Sequence, residues 1–299
     1  MTESTSPSQW AIVITKVLNA AFGPDHFPIN VPQIALDYSQ QRYPHDPITL
    51  VAGDSLPGFD GGLFRAPEGN QGWGIIYNHD ITSSGRINFT LAHEFGHYLL
   101  HRIKYPEGIR CGDQQVIRWD SELGKVEYQA NQFAANLLMP LDDYRRQIDP
   151  KSKISLDLIS FCANRYNVSL IAATLRWLAF TQRRAVLVVS RDGYILWAKS
   201  SNKALKSGAY FRTSRGPISI PEASLANRRT HLSTSSPEEM IPAGVWFREP
   251  CHESCITSDQ YDFVISILQL ENTMGVSSHG EHEDKGYDLL DRMQRIHGL

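Results

Sequence analysis

The stretch Phe89-Thr90-Leu91-Ala92-His93-Glu94-Phe95-Gly96-His97-Tyr98-Leu99-Leu100-His101 sets an H-E-x-x-H pattern inside an apolar helical repeat. Residues four apart lie one turn apart on the same face of an α-helix, so His93 and His97 can aim their imidazoles at one point. At about 100° per residue, Leu91, Phe95 and Leu99 fall on the other side with Ala92 beside them, and Glu94 lies at the edge of the histidine side. Burying the apolar side leaves the histidines facing a cleft. Two neutral imidazoles with a nearby carboxylate are the donor set of a zinc hydrolase. The five-residue pattern is short enough to recur by chance, so its surroundings have to carry the case. Gly96 has no side chain and permits another segment to come close, at a cost of about 1 kcal/mol against alanine in a helix interior. His101 also lies four residues from His97, but Tyr98 follows His97 where an acid would be needed. His101 therefore reads as a support for the site or as a surface residue.

Catalytic zinc usually takes three protein ligands and leaves a fourth position for water. About thirty residues on, Glu127-Tyr128-Gln129-Ala130-Asn131-Gln132-Phe133-Ala134-Ala135-Asn136-Leu137-Leu138-Met139 forms a helical run stopped by Pro140. Glu127, Ala130, Asn131, Ala134 and Leu138 share a face. The alanines allow close approach to the first helix, and Glu127 sits where a carboxylate can reach the metal. Asp113, Asp120 and Glu122 are rivals in a less regular segment. By periodicity alone, Glu127 also reads as a solvated carboxylate at a helix start, where the dipole favours it.

The string T-L-A-H-E-F-G-H-Y-L-L-H, followed by E-x-x-A-N-x-F-A-x-x-L-L-M-P, resembles the ImmA/IrrE family of zinc metallopeptidases, most specifically over about residues 70–140. The resemblance implies a zincin-like domain with metal ligands His93, His97 and Glu127 and with Glu94 as the catalytic carboxylate. It implies Zn2+ as the metal, and a His₂Glu set also suits Mn2+ or cobalt. It further implies an endopeptidase whose partner substrate is a helix-turn-helix (XRE-type) transcriptional repressor, cut to release stress-response or mobile-element genes. The alternative is a non-proteolytic transcriptional regulator that binds DNA or sequesters a repressor through the same fold. An intact Glu94 favours the enzyme, because a purely structural metal site needs no base beside its ligands. The oxyanion partner is not readable; Tyr98, Tyr105, Tyr128 and His101 all stand as candidates.

Composition excludes little. A net charge of −3 gives no global signal for polyanion binding. Met1 to Ser8 is polar, without the regions of a signal peptide, and no apolar run reaches the roughly 18 residues of a membrane span. The expectation is a cytoplasmic protein with no membrane partner. Four cysteines require no disulfide. The Cys251-His252-Glu253-Ser254-Cys255 cluster has no second half elsewhere and reads as reduced thiols rather than a metal site.

The expected fold class is α+β in parts: a metallopeptidase domain over 1–150, a helix-turn-helix-like segment over 151–184, a GAF-like α/β domain over 185–275, and a linker with a short helix over 276–299. Trp10 to Phe22 opens the chain as a helix. Gly72 to Asn78 reads as a strand, either an exposed edge that binds an extended peptide or an ordinary sheet member. Between Leu170 and Phe180 only Thr174 and Arg176 are polar, too few donors for base readout, so packing is favoured over direct DNA binding. Ala185–Val189 and Tyr194–Ala198 predict a hairpin around Asp192-Gly193, with further strands at Gly244–Phe247 and Phe263–Leu270. The GAF-like reading follows the length and strand richness of longer family members; it implies a sensory pocket, with a scaffold or substrate-docking domain as the other reading. His279 and His282 read as solvated, and Leu289, Leu290, Met293 and Ile296 as one face of the last helix.

Overall fold

A computed structural model describes residues 6–112, 121–228, 238–258 and 262–272. Asp113, Asp120, the 276–299 linker and its short helix lie outside the described residues. The chain divides into two compact units. Among the described residues, the first holds 6–112, 121–143 and 163–169, and the second holds the remainder. Of the segment 151–184, residues 163–169 group with the first unit and the others with the second. The mixture of helices and sheets is α+β, and no helix among the described residues is long and apolar enough to cross a membrane.

In the first unit, α1 (Pro7–Phe22) begins at a proline, whose fixed φ suits a first helical turn. It buries Trp10, Ala11, Ile14 and Leu18. Helix α2 (Val31–Arg42) is capped by the Asn30 side chain, which accepts from the Gln33 amide at 3.2 Å. Strands β1 (Ile48–Asp54), β2 (Phe59–Arg65) and β3 (Trp73–Asn78) follow, then α3 (Ser84–His101), β4 (Gly108–Gly112) and α4 (Glu122–Leu138). The sheet runs β1-β3-β2-β4, with β1 parallel to β3 and the other pairs antiparallel. This corrects the edge-strand reading of Gly72–Asn78. β3 is paired on both sides and buries Trp73 and Ile75, so its backbone has no free row for a peptide. Among the described residues the edges are β1 and β4.

Helix α3 differs from the expected half-buried helix. Leu91, Ala92, Phe95 and Leu99 are buried, but so are His93, Glu94, His97 and His101. The cause is packing on two sides: the sheet covers one face through β2 and β3, and α4 covers another. Its start is fixed by Ser83, whose hydroxyl accepts from the Arg86 amide at 3.3 Å. Gly96 is the point of closest approach to α4. A Cβ there would stand 2.9 Å from Phe133 Cδ1 and 3.3 Å from the Ala130 Cα. The glycine and Ala130 thus set the spacing of the two helices.

Helices α5 (Leu141–Gln147), α6 (Leu156–Tyr166) and α7 (Leu170–Leu178) follow. In the second unit, β5 (Arg184–Arg191) and β6 (Tyr194–Ser200) form the expected hairpin. Asp192 and Gly193 both take positive φ, 51° and 77°, as a two-residue primed turn requires. Helix α8 (Asn202–Lys206), β7 (Ile218–Ser219), α9 (Leu225–Arg228), β8 (Glu238–Ile241), β9 (Cys251–Ser258) and β10 (Phe263–Leu270) complete it. The antiparallel sheet runs β7-β6-β5-β10-β9-β8. A core of Val186, Val188, Ile195, Leu225, Ile241, Trp246, Leu268 and Leu270 covers one side. Gly244–Phe247 is a turn and not the strand its composition suggested. The Gly244 amide donates to the Phe247 carbonyl at 2.6 Å, and Trp246 turns inward to give its Nε1 proton to Glu253 at 2.7 Å. The strand lies just upstream, at β8.

Candidate active site

Three side chains converge inside the first unit. The Nε2 atoms of His93 and His97 lie 2.8 Å apart, Glu127 Oε2 is 3.1 Å from His93 Nε2, and Glu127 Oε1 is 3.4 Å from His97 Nε2. All three are buried, and among the described residues they form the one His/Cys/Asp/Glu group compact enough to hold a metal ion. Helix spacing explains the histidine pair, one turn apart on α3. Glu127 comes from the second turn of α4, whose first turn holds Glu122 behind the Ser121 cap. Glu127 is 5% exposed, so it is not a solvated helix-start carboxylate. Its rival Glu122 is exposed and pairs with Lys104. Glu94 is fully buried next to His93, under β2. A Cβ on Gly61 would stand 3.6 Å from Glu94 Cγ and 2.6 Å from Thr90 Cγ2, so only glycine lets the strand lie this close.

The donor set fits a single first-row divalent ion. A tetrahedral zinc at about 2.0–2.1 Å from nitrogen and oxygen separates its ligands by roughly 3.3 Å, and the three separations observed bracket that spacing or fall slightly inside it. Two imidazole lone pairs and a carboxylate have no mutual attraction in such a place unless a cation or a proton sits between them. In the metal-free chain a proton serves. Burial opposes charge on His93, but the Glu127 carboxylate and then Glu94 outweigh it and push His93 up to about 9. Burial lowers His97, against the pull of Glu127. Burial works to raise Glu127, and the two histidines overcome it and hold the carboxylate well below its usual range. The pocket is thus built to carry positive charge.

The outer nitrogens of the two histidines are also occupied. His93 Nδ1 lies 2.8 Å from Asn131 Oδ1, and His97 Nδ1 lies 3.0 Å from His101 Nδ1. His101 Nε2 in turn lies 2.9 Å from Gln129 Oε1. Asn131 was visible in the sequence as the residue one turn after Glu127, but only as a face-sharing neighbour. Gln129 carries no periodic signal and was missed. Of the four oxyanion candidates, two have other duties. Tyr98 is buried and donates to the Asp46 carbonyl at 2.7 Å, and His101 is held between His97 and Gln129.

A helix carrying H-E-x-x-H beside a four-stranded sheet, with a glutamate supplied by the next helix, defines a metallopeptidase-type domain. Residues 49–178 match the family model described as Peptidase_M78, IrrE N-terminal-like domain. Among solved structures, the chain is similar to one described as a Mycobacterium tuberculosis transcriptional regulator. The likeness has a TM-score of 0.54 and 12% identity, over 87% of this chain and 76% of that one. It is a likeness of fold. A search of curated proteins gave no match.

Proposed function

We propose that the protein is a zinc-dependent endopeptidase that hydrolyses a peptide bond in a helix-turn-helix transcriptional repressor. The observation that carries this reading is the convergence of His93, His97 and Glu127 with Glu94 buried on the adjoining position. His93 Nε2, His97 Nε2 and a Glu127 carboxylate oxygen would hold the ion. Zinc so bound would polarise the scissile carbonyl and lower the pKa of a water ligand to about 7. Glu94 then acts as the proton carrier: its carboxylate takes the proton of the attacking water and delivers it to the leaving amide nitrogen. Asn131 and His101 keep the ligand rings turned inward.

An extended substrate has a strand to pair with, although not β3. β4 pairs with β2 on one side, opposite Gly61, which lies over Glu94. A peptide added to the outer side of β4 would extend this sheet, with main-chain bonds supplying affinity. The repressor as substrate is supported by the family alone.

The second reading is a regulator that binds without cutting, favoured by the description of the structural neighbour as a transcriptional regulator. Direct DNA readout gains no support from α7. Thr174 is buried with its hydroxyl donating to the Leu170 carbonyl at 2.8 Å, and Ile171, Ala172, Ala173, Trp177 and Leu178 are buried too. A GAF-like sensory role for the second unit rests on its strand-rich sheet.

The test is to incubate the metal-loaded protein with helix-turn-helix regulators encoded beside its gene and to read intact masses. Two fragments from one regulator, absent with Glu94→Gln, are expected. A regulator held in a stable complex without being cut would favour sequestration.

A further inference from the structure

We propose that His101 and Gln129 are positioning residues that set the proton arrangement of the metal-binding face, Gln129 acting through His101 on His97. The inference rests on the metal-site reading above. Two proton arrangements satisfy the observed separations of 3.0 Å between His97 Nδ1 and His101 Nδ1 and of 2.9 Å between His101 Nε2 and the Gln129 side-chain amide. In the first, His97 Nδ1 donates to His101 Nδ1, and His101 Nε2 donates to Gln129 Oε1. This leaves a lone pair on His97 Nε2, directed at His93 and Glu127. In the second, the amide is turned to donate its NH₂ to His101 Nε2, so His101 Nδ1 donates to His97 Nδ1. That puts the His97 proton on Nε2, between the ligand atoms, and blocks the nitrogen from any metal. The carbonyl oxygen of Gln129, facing His101, selects the first arrangement.

The two ligand histidines are therefore held differently. His93 has a direct amide acceptor in Asn131, whereas His97 has a neutral ring with an amide behind it. A ligand histidine commonly donates its outer N–H to a carboxylate, a backbone carbonyl or water, and loss of such partners typically costs roughly 10–100-fold in metal affinity. A neutral acceptor leaves the imidazole less basic than a carboxylate would, so His97 would donate less electron density and leave the ion more of its charge. Gln129 is half-buried and His101 buried, and a leucine at 101 fills the place of the ring without offering His97 Nδ1 an acceptor.

The experiment measures zinc affinity by competition with a chromophoric chelator, on the full chain and in the absence of peptide. His101→Leu and Gln129→Leu should each weaken binding, by roughly 10–100-fold for the first and less for the second. His101→Asn, which places an amide oxygen near the Nδ1 position, and Gln129→Glu, which can only accept, should bind within a few-fold of the wild type. In the zinc-loaded wild type, nitrogen NMR of the histidine rings should find the proton of His97 on Nδ1 and that of His101 on Nε2. Equal affinities across the set, or the opposite tautomers, would overturn the inference. If His101→Leu fails to fold, the Gln129 pair and the ring tautomers still decide. A wild type that takes up no zinc would remove both the site and the relay. Zinc uptake with the expected variant pattern but no cleavage of any regulator would leave the relay standing and remove the peptidase.

Discussion

At the scale of single residues, Glu94 and the proposed metal ligands should fail in different ways. Glu94→Gln keeps shape and burial and loses the proton acceptor. Cleavage should fall by at least the roughly 10²–10⁴-fold typical of a lost general base, with zinc content unchanged by elemental analysis. His93→Ala removes a ligand atom and should lose the metal itself. The cysteines mark the contrast between buried and working groups. Burial first, and then the Glu253 and Glu249 carboxylates, push the Cys251 thiol up to about 12. A thiol so shifted stays protonated through pH 7–9 and is a poor nucleophile. Cys251 should remain unmodified by iodoacetamide in the folded protein while reacting fully in urea, as read by peptide mass mapping. The His93, Glu94 and His97 positions were legible because one covalent spacing fixes all three on a helix. Glu127 was legible from the residues only as one of four carboxylates, and the family resemblance singled it out. Gln129 was not legible at all, because its role depends on a ring reaching across from another helix.

At the scale of elements, the site is a matter of how near α3 and α4 approach. Gly96→Ala should raise the intrinsic helix propensity by about 1 kcal/mol. It also forces a methyl into a space whose near atoms include the Ala130 backbone, which cannot give way as a side-chain tip can. Overpacking of this kind costs typically about 1–3 kcal/mol, so a net loss of stability is expected in urea titration. Zinc affinity should fall with it, since Glu127 and Asn131 ride on the displaced helix; a variant as stable as the wild type with full affinity would contradict the packing argument. The sequence made the close approach of the helices readable through Gly96 and Ala130. It did not make the strand order readable. Gly72–Asn78 has the composition of any short strand, and whether it lies inside a sheet or at its edge depends on pairings with β1 and β2 that leave no local trace. The same limit misplaced the strand near Gly244, where apolar Val245, Trp246 and Phe247 serve a turn that feeds Trp246 to Glu253.

At the scale of the whole molecule, one unit carries the candidate metal site and the other an antiparallel sheet with its own core. The hairpin of β5 and β6 was readable because its turn demands positive φ at two residues, and Asp-Gly meets that demand. The grouping of 163–169 with the first unit was not readable, because nothing along the chain marks where a helical segment changes company. If the buried cluster holds an ion in the folded state only, saturation at about 100 times the dissociation constant adds roughly 2.7 kcal/mol to the unfolding free energy. Chelation should then lower the melting temperature, and re-addition of zinc should restore it. The most direct test of the account is the metal content of the folded chain by native mass spectrometry, for the wild type beside Glu127→Ala. One zinc per chain in the wild type and none retained in the variant is the expected result; equal metal in both, or none in the wild type after loading, would contradict it.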